Sequence, residues 1–321
     1  MNQQFAAVRP YLSQDDRLCR VRLSRLEEGS ARGQRVVDVV NGSGLAFTVT
    51  PDRAMNVVEC SFAGIPISFS HNGHRGLYGD WLRGWSTGMI TTCGLLNAGS
   101  PSGGQGLHGN ISSESAEQLS LYCRNGEVEI SGLVHETMPF GANLTLDRKI
   151  KTAYGQNRLE IHDTVKNCGE STAFTEILYH CNFGFPLISP DMEMVCAEHE
   201  IVPRDDAAAA ELPNWNNYPL PLEGIGEYCF RHLLPPTDGT WASFGVINRK
   251  LGIKVAIEYD TTTLPHMVQW KKPSKYDYVM GLEPTNVSLA GCEFDRENGF
   301  GKFLAPGETV DYRMRLVFDK I

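Results

Sequence analysis

Alternating hydrophobic and polar residues dominate the chain from Val36 onward. A period of two puts successive side chains on opposite faces of an extended chain and is typical of strands that bury one face. Turn-forming stretches such as residues 154–157 and 167–170 separate the segments at a spacing that antiparallel hairpins need. The pattern predicts strands at residues 128–134, 144–150, 159–165, 173–180, 253–259, 277–282 and 310–318.

Helical periodicity is scarce. The clearest candidate is residues 204–212, where Asp205 and Asp206 precede four alanines, and this segment is either a helix start or a surface loop. No fixed-period repeat or low-complexity linker occurs, and we interpret the Pro- and Asn-rich residues 203–221 as an insertion. We therefore expect an all-β, antiparallel sandwich with few short helices, one domain over residues 1–321 with residues 1–20 as an N-terminal extension.

Composition narrows the possible partners and compartment. The 321 residues include 29 Lys and Arg against 38 Asp and Glu, a net charge of −9 with no basic run, which argues against nucleic acid or an anionic membrane. No stretch approaches the ~18 apolar residues of a membrane helix, and the N-terminus has no signal-peptide pattern. The nine cysteines are scattered and never form C-x-x-C, as expected for reduced thiols. These features favour a cytoplasmic protein.

Three short stretches place an ionisable side chain next to glycine or proline, where loops and strand ends expose groups to a cavity. They are residues 106–110 with His108, residues 177–184 with His180, and residues 281–286 with Glu283. Taken singly, each of these side chains also fits a structural role with satisfied hydrogen bonds.

Strand periodicity adds a geometric argument for His180. If residues 173–183 form a strand, His180 and Asn182 share one face with Glu176, while Ile177 and Tyr179 lie on the other. The face of Ile177 and Tyr179 is the more apolar. We therefore expect it to meet the core and to leave His180 and Asn182 facing a groove.

The three motifs together resemble a known family. Gly-Leu-His108-Gly, Leu-Tyr-His180-Cys-Asn182-Phe-Gly-Phe-Pro and Gly-Leu-Glu283-Pro, in this order, are similar to the aldose 1-epimerase (galactose mutarotase-like) superfamily, and most to its DUF4432 branch. The resemblance extends over roughly residues 22–318. It implies a galactose mutarotase-like β-sandwich that cups a small-molecule sugar, and an isomerase that needs neither cofactor nor metal. By motif position it implies that Glu283 is the general base, His180 the general acid, and His108 a second histidine that binds and polarises the sugar.

The chemistry of mutarotation suits these residue types. A proton must leave the anomeric hydroxyl while another reaches the ring oxygen, and a carboxylate with a histidine can do both near neutral pH. Two further side chains are candidates for substrate binding beside Asn182. Trp270 could stack on a pyranose or fill the core, and Arg83 could bind hydroxyls or an acidic group or lie on the surface.

Some positions depart from the DUF4432 pattern. Residues 53–56 read Arg-Ala-Met-Asn where this branch usually has Arg-Gly-x-Asp, so Asn56 replaces a carboxylate, and Asn110 stands where arginine is common. The sequence does not place the aspartate that binds sugar hydroxyls in the better-known mutarotases, and Asp205 is one candidate for it.

Two alternatives to a cofactor-independent isomerase stay open. One is a carbohydrate-binding protein without turnover. The other is a metal-dependent sugar isomerase, because His108, His180 and Glu283 could form a site with two histidines and one carboxylate. The sequence specifies neither the sugar nor the oligomeric state.

Overall fold

The structure, a computed structural model, describes residues 2–71, 76 and 81–321. Within this part of the chain there are twenty strands and four short α-helices. The helices are α1 (Gln3–Val8), α2 (Trp81–Gly84), α3 (Asp206–Glu211) and α4 (Cys292–Glu297). The strands are β1 (Arg20–Arg25), β2 (Arg35–Val40), β3 (Leu45–Thr50), β4 (Asn56–Phe62), β5 (Ile65–Pro66), β6 (Thr91–Leu95), β7 (Glu117–Arg124), β8 (Glu127–Thr137), β9 (Asn143–Ala153), β10 (Gln156–Asn167), β11 (Ala173–Gly184), β12 (Met192–Cys196), β13 (Glu200–Pro203), β14 (Tyr228–Leu233), β15 (Trp241–Asn248), β16 (Ile253–Asp260), β17 (His266–Pro273), β18 (Tyr278–Thr285), β19 (Lys302–Leu304) and β20 (Thr309–Lys320).

The strands form three antiparallel sheets. The first has the order β1-β2-β3-β4-β5, and the second has the order β12-β15-β16-β20-β10-β9-β8-β7. The third has the order β13-β14-β17-β18-β11-β19, with β6 also paired to β11. Each of the seven predicted segments lies in a strand to within one residue. The all-β prediction with few short helices is confirmed.

The two larger sheets face each other across one apolar core. Ile130 of β8 and Ile161 of β10 pack from the second sheet, and Ile177 and Tyr179 of β11 pack from the third. This is the face of β11 that the alternation predicts to be apolar. The opposite face, which carries His180, therefore points away from the core.

A buried polar bridge joins the two sheets inside this core. The Arg148 side chain on β9 donates from Nε to Oδ1 of Asp163 on β10 at 2.9 Å. Tyr179 on β11 donates its hydroxyl to Oδ2 of the same carboxylate at 2.6 Å. Because the charge pair is fully buried and further hydrogen-bonded, removing one partner would leave an uncompensated charge in the core. The bridge fixes β11 relative to the second sheet.

The segments outside the sheets are short. Of the two interpretations left open for residues 204–212, the structure has a helix, α3, whose N-cap is Asp205. Near the N-terminus, Phe5 of α1 is buried and packs edge-on against Tyr154 at 5.6 Å between ring centroids. None of the helices in the described residues has the length and apolar character that a bilayer crossing requires.

Candidate active site

Four strands of the third sheet contribute one side chain each to a single row across its solvent-side face. The pairing of β18 with β17 sets Glu283 opposite Val268, and that of β17 with β14 sets Val268 opposite Arg231. Continuing the register of β11 with β18 sets His180 opposite Glu283. Residues far apart in the chain thus become neighbours, because antiparallel strands pair irrespective of their sequence separation.

His108 reaches the same place from the loop that follows β6. Its backbone is left-handed at φ 57°, and Gly109 follows at φ 68°, where a Cβ atom would lie 2.3 Å from the Asn97 carbonyl oxygen. The ring Nδ1 of His108 donates to the Ala98 carbonyl at 2.8 Å. In the neutral ring this bond leaves Nε2 as the acceptor. The His108 and His180 rings lie 5.6 Å apart between centroids.

Three tryptophans and the two histidines enclose a cavity of about 290 Å³, here called the central cavity. Trp81 and Trp85 are stacked at 5.0 Å, with Trp81 4.6 Å from His108 and Trp85 5.1 Å from His180. Trp270 lies 5.3 Å from His180 and 6.0 Å from Trp85. Aromatic walls around a few polar groups are typical of small-molecule sites, and flat rings pack well on the apolar faces of a sugar.

Two polar atoms at the floor of the central cavity have no hydrogen-bond partner among the described residues. They are Nδ1 of His180 and Oε1 of Glu283, in residues that are 5% and 2% exposed. The two atoms lie 3.3 Å apart, a close approach without hydrogen-bond geometry. Buried polar atoms in folded proteins nearly always have partners, so this pair is suited to a bound ligand.

Burial has opposite effects on the two groups. It lowers the pKa of His180 well below the ordinary 6.5, and the neighbouring His108 lowers it further. It raises the pKa of Glu283 well above 4.5, helped by the nearby charge of Glu227. Burial also lowers the pKa of His108. The site therefore favours states in which His180 and Glu283 together carry no net charge.

The rim of the central cavity is a chain of ion pairs. Trp270 donates from Nε1 to Oε2 of Glu227 at 2.9 Å, and Arg204 donates from Nη1 to Oε1 of Glu227 at 3.1 Å. Arg204 also donates from Nε to Asp205 at 3.0 Å. Arg204 therefore balances two carboxylates, and Glu227 holds the indole ring of Trp270 in place.

The predicted site residues divide into two groups. His108, His180, Glu283 and Trp270 line the central cavity, whereas Asn182 and Arg83 do not.

The reasons that Asn182 and Arg83 lie outside the cavity are physical. Asn182 shares the face of His180, but its amide donates to the main-chain carbonyls of Gly88 and His180, each at 3.0 Å. Arg83 is exposed because α2 turns Trp81 toward the cavity, and a residue two positions later lies on the other side of a helix.

The remaining candidates have structural contacts. The Asn56 side chain accepts a hydrogen bond from the Thr92 amide at 3.0 Å, and Asn110 donates to Gln105 at 3.0 Å. Asp205 accepts from the Ala208 amide at 2.9 Å as the N-cap of α3. Within residues 2–71, 76 and 81–321, no group of three His, Cys, Asp or Glu side chains has an arrangement suited to a metal ion.

Sequence reasoning missed several lining residues. Trp81 and Trp85 flank Arg83 in an aromatic-rich segment. The segment contributes to the cavity as predicted, but through the two tryptophans and not through Arg83. Arg204 lies in the region interpreted as an insertion and Glu227 lies just after it, and neither belongs to a motif or a periodic pattern.

The sheets and the concave site define a galactose mutarotase-like β-sandwich. The chain belongs to the family described as a domain of unknown function, DUF4432, whose profile matches residues 31–317. The family resemblance read from the three motifs is confirmed. No curated protein matches the chain.

Solved structures show the same fold. A proposed aldose 1-epimerase from Klebsiella pneumoniae is 23% identical, with a TM-score of 0.86 over 93% of this chain and 83% of that chain. A galactose mutarotase-like protein from Clostridium acetobutylicum is 14% identical, with a TM-score of 0.65 over 95% of this chain and 100% of that chain. A galactose 1-epimerase from Lactobacillus acidophilus is 11% identical, with a TM-score of 0.65 over 94% and 99%. At these identities the similarity establishes the fold.

Proposed function

We propose that this protein is a cofactor-independent carbohydrate isomerase of the aldose 1-epimerase type, which interconverts the anomers of a sugar by acid–base catalysis. One observation carries the proposal. The Nδ1 atom of His180 and the Oε1 atom of Glu283 are buried 3.3 Å apart, without hydrogen-bond partners among the described residues, on an aromatic-walled cavity. The solved galactose 1-epimerase and mutarotase-like structures with this fold support it.

The proposed reaction moves two protons. The Glu283 carboxylate takes the proton of the C1 hydroxyl, and the His180 imidazolium gives a proton to the ring oxygen O5. The C1–O5 bond breaks and the C1 carbonyl forms. After rotation about C1–C2, O5 attacks the other face of the carbonyl and both protons return. Because O1 and O5 are both bonded to C1, two neighbouring side chains are able to address both oxygens.

The pKa shifts of the two groups favour a carboxylic acid and a neutral imidazole in the folded protein, so the reactive carboxylate and imidazolium form by proton transfer from Glu283 to His180. Ring opening returns the pair to a carboxylic acid and a neutral imidazole. Both states have zero net charge, which a buried site tolerates better than an isolated charge. The raised pKa of Glu283 makes it a stronger base than an ordinary carboxylate. His108, with Nδ1 bound to Ala98, offers Nε2 to a sugar hydroxyl.

Exchange NMR between the α and β anomers of added sugars tests the proposal. In Glu283→Gln the amide keeps the shape but cannot accept the proton, so we expect the exchange rate to fall about 10²–10⁴-fold with sugar affinity retained. The matched control is Glu136→Gln, since Glu136 is buried but hydrogen-bonds the Leu95 amide outside the central cavity.

The outcomes separate the candidate functions. Unchanged exchange in Glu283→Gln contradicts the assigned roles. Sugar binding by the unmodified protein without any acceleration of exchange would identify a carbohydrate-binding protein instead.

A further inference from the structure

A second cavity adjoins the central cavity and continues it along the sheet. The two share Ser100, Arg204, Cys229 and Leu289, and the second, here called the adjoining cavity, measures about 500 Å³. Its lining contains two arginines, Arg204 and Arg231, and no carboxylate side chain. The two cavities therefore lie side by side on the same face of the sheet.

The two arginines of the adjoining cavity differ in their partners. Arg204 is balanced by Asp205 and Glu227. Arg231 is half-buried, and no carboxylate of the described residues pairs with it. Its guanidinium lies 5.1 Å from the centroid of the Phe300 ring. A guanidinium that lies over a ring face makes a cation–π contact, which leaves its N–H donors available for paired hydrogen bonds with an oxyanion.

The position of Arg231 relative to the proton-transfer pair is set by the sheet. Arg231, Val268, Glu283 and His180 occupy one row, so the backbones of Arg231 and Glu283 are two strand spacings apart, roughly 10 Å. Only the small apolar side chain of Val268 lies between them in the row. A sugar with its C1 at His180 and Glu283 and its long axis along this row would reach over Val268 toward Arg231.

We propose that the adjoining cavity binds an oxyanion carried at the end of the sugar remote from C1, so that the substrates are acidic aldoses. The inference rests on the proposed function for the placement of C1. Arg231 binds the oxyanion, and the polar side chains of Ser100 and Asn298 in the same lining can complete its hydrogen bonds. Carboxylate, sulfonate and phosphate share this chemistry.

Anomer exchange with neutral and acidic sugars tests the inference. Glucose and galactose are compared with glucuronate, galacturonate and glucose 6-phosphate in the unmodified protein and in Arg231→Gln. We expect a lower KM for acidic sugars in the unmodified protein, a rise of about 10–100-fold in that KM in Arg231→Gln, and little change for neutral sugars. The acidic sugar whose KM rises most identifies carboxylate or phosphate as the preferred group.

Two further variants sharpen the comparison. Arg231→Lys keeps the charge but loses the paired donors, so its KM for acidic sugars should fall between those of the other two proteins. Arg296→Gln is the matched control, because Arg296 also stacks on a phenylalanine, Phe174 at 5.2 Å, but lines neither cavity. Its KM values should stay unchanged.

The inference is overturned if acidic and neutral sugars have equal KM values and Arg231→Gln does not change them. That result would leave the proposed function standing. If no aldose, neutral or acidic, shows accelerated exchange, the proposed function fails. Titration calorimetry with glucuronate and glucose 6-phosphate then decides the inference: binding that is lost in Arg231→Gln supports it, and absent or unaltered binding overturns it. Thermal unfolding checks that Arg231→Gln folds, and Arg231→Lys replaces it in the same comparison if it does not.

Discussion

The Glu283 carboxylate folds back over Gly281, two residues earlier on the same face of β18. A Cβ atom at Gly281 would lie 2.3 Å from Oε1 of Glu283 and 3.2 Å from Cβ of Trp270. The backbone of Gly281 is outside the left-handed region, so the requirement for glycine comes from space and not from conformation. We therefore regard Gly281 as a positioning residue for the proposed base.

We expect Gly281→Ala to displace the carboxylate while the strand stays paired. A shift of about 1 Å in a reacting group can lower a rate by about 10²-fold, so exchange NMR should show a loss of that order in kcat. The control is Gly226→Ala, because a Cβ atom there has nothing within 4 Å. Full activity in Gly281→Ala, or equal losses in both variants with equal falls in unfolding free energy, would contradict the positioning role.

At the scale of single residues, the sequence predicts which ionisable residues share a groove. It does not predict which of their polar neighbours also face that groove. Period two placed His180 and Asn182 on one face, and both lie there. The alternation does not show which other segments pack over each residue. The side-chain amide of Asn182 donates to the Gly88 carbonyl and is therefore not available to the cavity. Contacts made by loops of distant sequence decide such cases.

Among the elements, α3 links a short helix to the rim of the central cavity. Asp205 caps the helix through the Ala208 amide at 2.9 Å and binds Arg204 at 3.0 Å, and Arg204 in turn holds Glu227. The same carboxylate was a candidate for binding sugar hydroxyls. Its present contacts instead give it a structural task at the start of α3.

Two substitutions at Asp205 separate its tasks. Asp205→Asn keeps an N-cap acceptor but loses the charge, whereas Asp205→Ala loses both. We expect urea unfolding to show a loss of about 1 kcal/mol for Asp205→Ala and a smaller loss for Asp205→Asn. Sugar affinity, measured by calorimetry, should be nearly unchanged in Asp205→Asn. A large loss of affinity in that variant would assign Asp205 to the sugar.

Long elements were predictable and short ones were not. Strands such as β10 and β20 bury alternate residues over twelve positions, which gives a clear period. In contrast, α2 has four residues, too few to show a helical period, although it carries Trp81 to the cavity. The rim residues Arg204 and Glu227 come from irregular segments, whose position depends on packing against β14 and β17.

For the whole molecule, buried ionisable groups connect folding stability to pH. Burial raises the pKa of Glu136 to about 7 and that of Glu176 to about 8, from an ordinary 4.5. Burial lowers the pKa of His232 to about 3 and that of His266 to about 4, from an ordinary 6.5. Each of the four groups is therefore predominantly uncharged in the folded protein between about pH 4 and pH 7. A pH change that charges one of them lowers the free energy of unfolding.

The two classes of group act on opposite sides of the pH range. The folded state holds the protons of Glu136 and Glu176 more tightly than the unfolded state, so the unfolding free energy falls as pH rises from 4.5 through 7 and 8. The folded state holds protons on His232 and His266 less tightly, so the unfolding free energy falls as pH drops from 6.5 toward 4 and 3. Between 4.5 and 6.5 the two slopes oppose each other, and we expect a plateau there.

The double variant Glu136→Gln/Glu176→Gln should reduce the decline on the alkaline side, and the buried carboxyl group of Glu283, whose pKa is also raised, should account for part of what remains. One pKa unit corresponds to about 1.4 kcal/mol of unfolding free energy. Urea unfolding should therefore show that the difference in unfolding free energy, double variant minus unmodified protein, is larger at about pH 8 than at about pH 5. The control is Glu28→Gln/Glu59→Gln, two exposed positions, which should follow the unmodified protein. Because the histidines remain, the acid side of the double variant should still decline. An alkaline decline that persists undiminished in Glu136→Gln/Glu176→Gln would mean that both carboxyl groups are already ionised at neutral pH, and the fold would then have to supply each with a compensating partner.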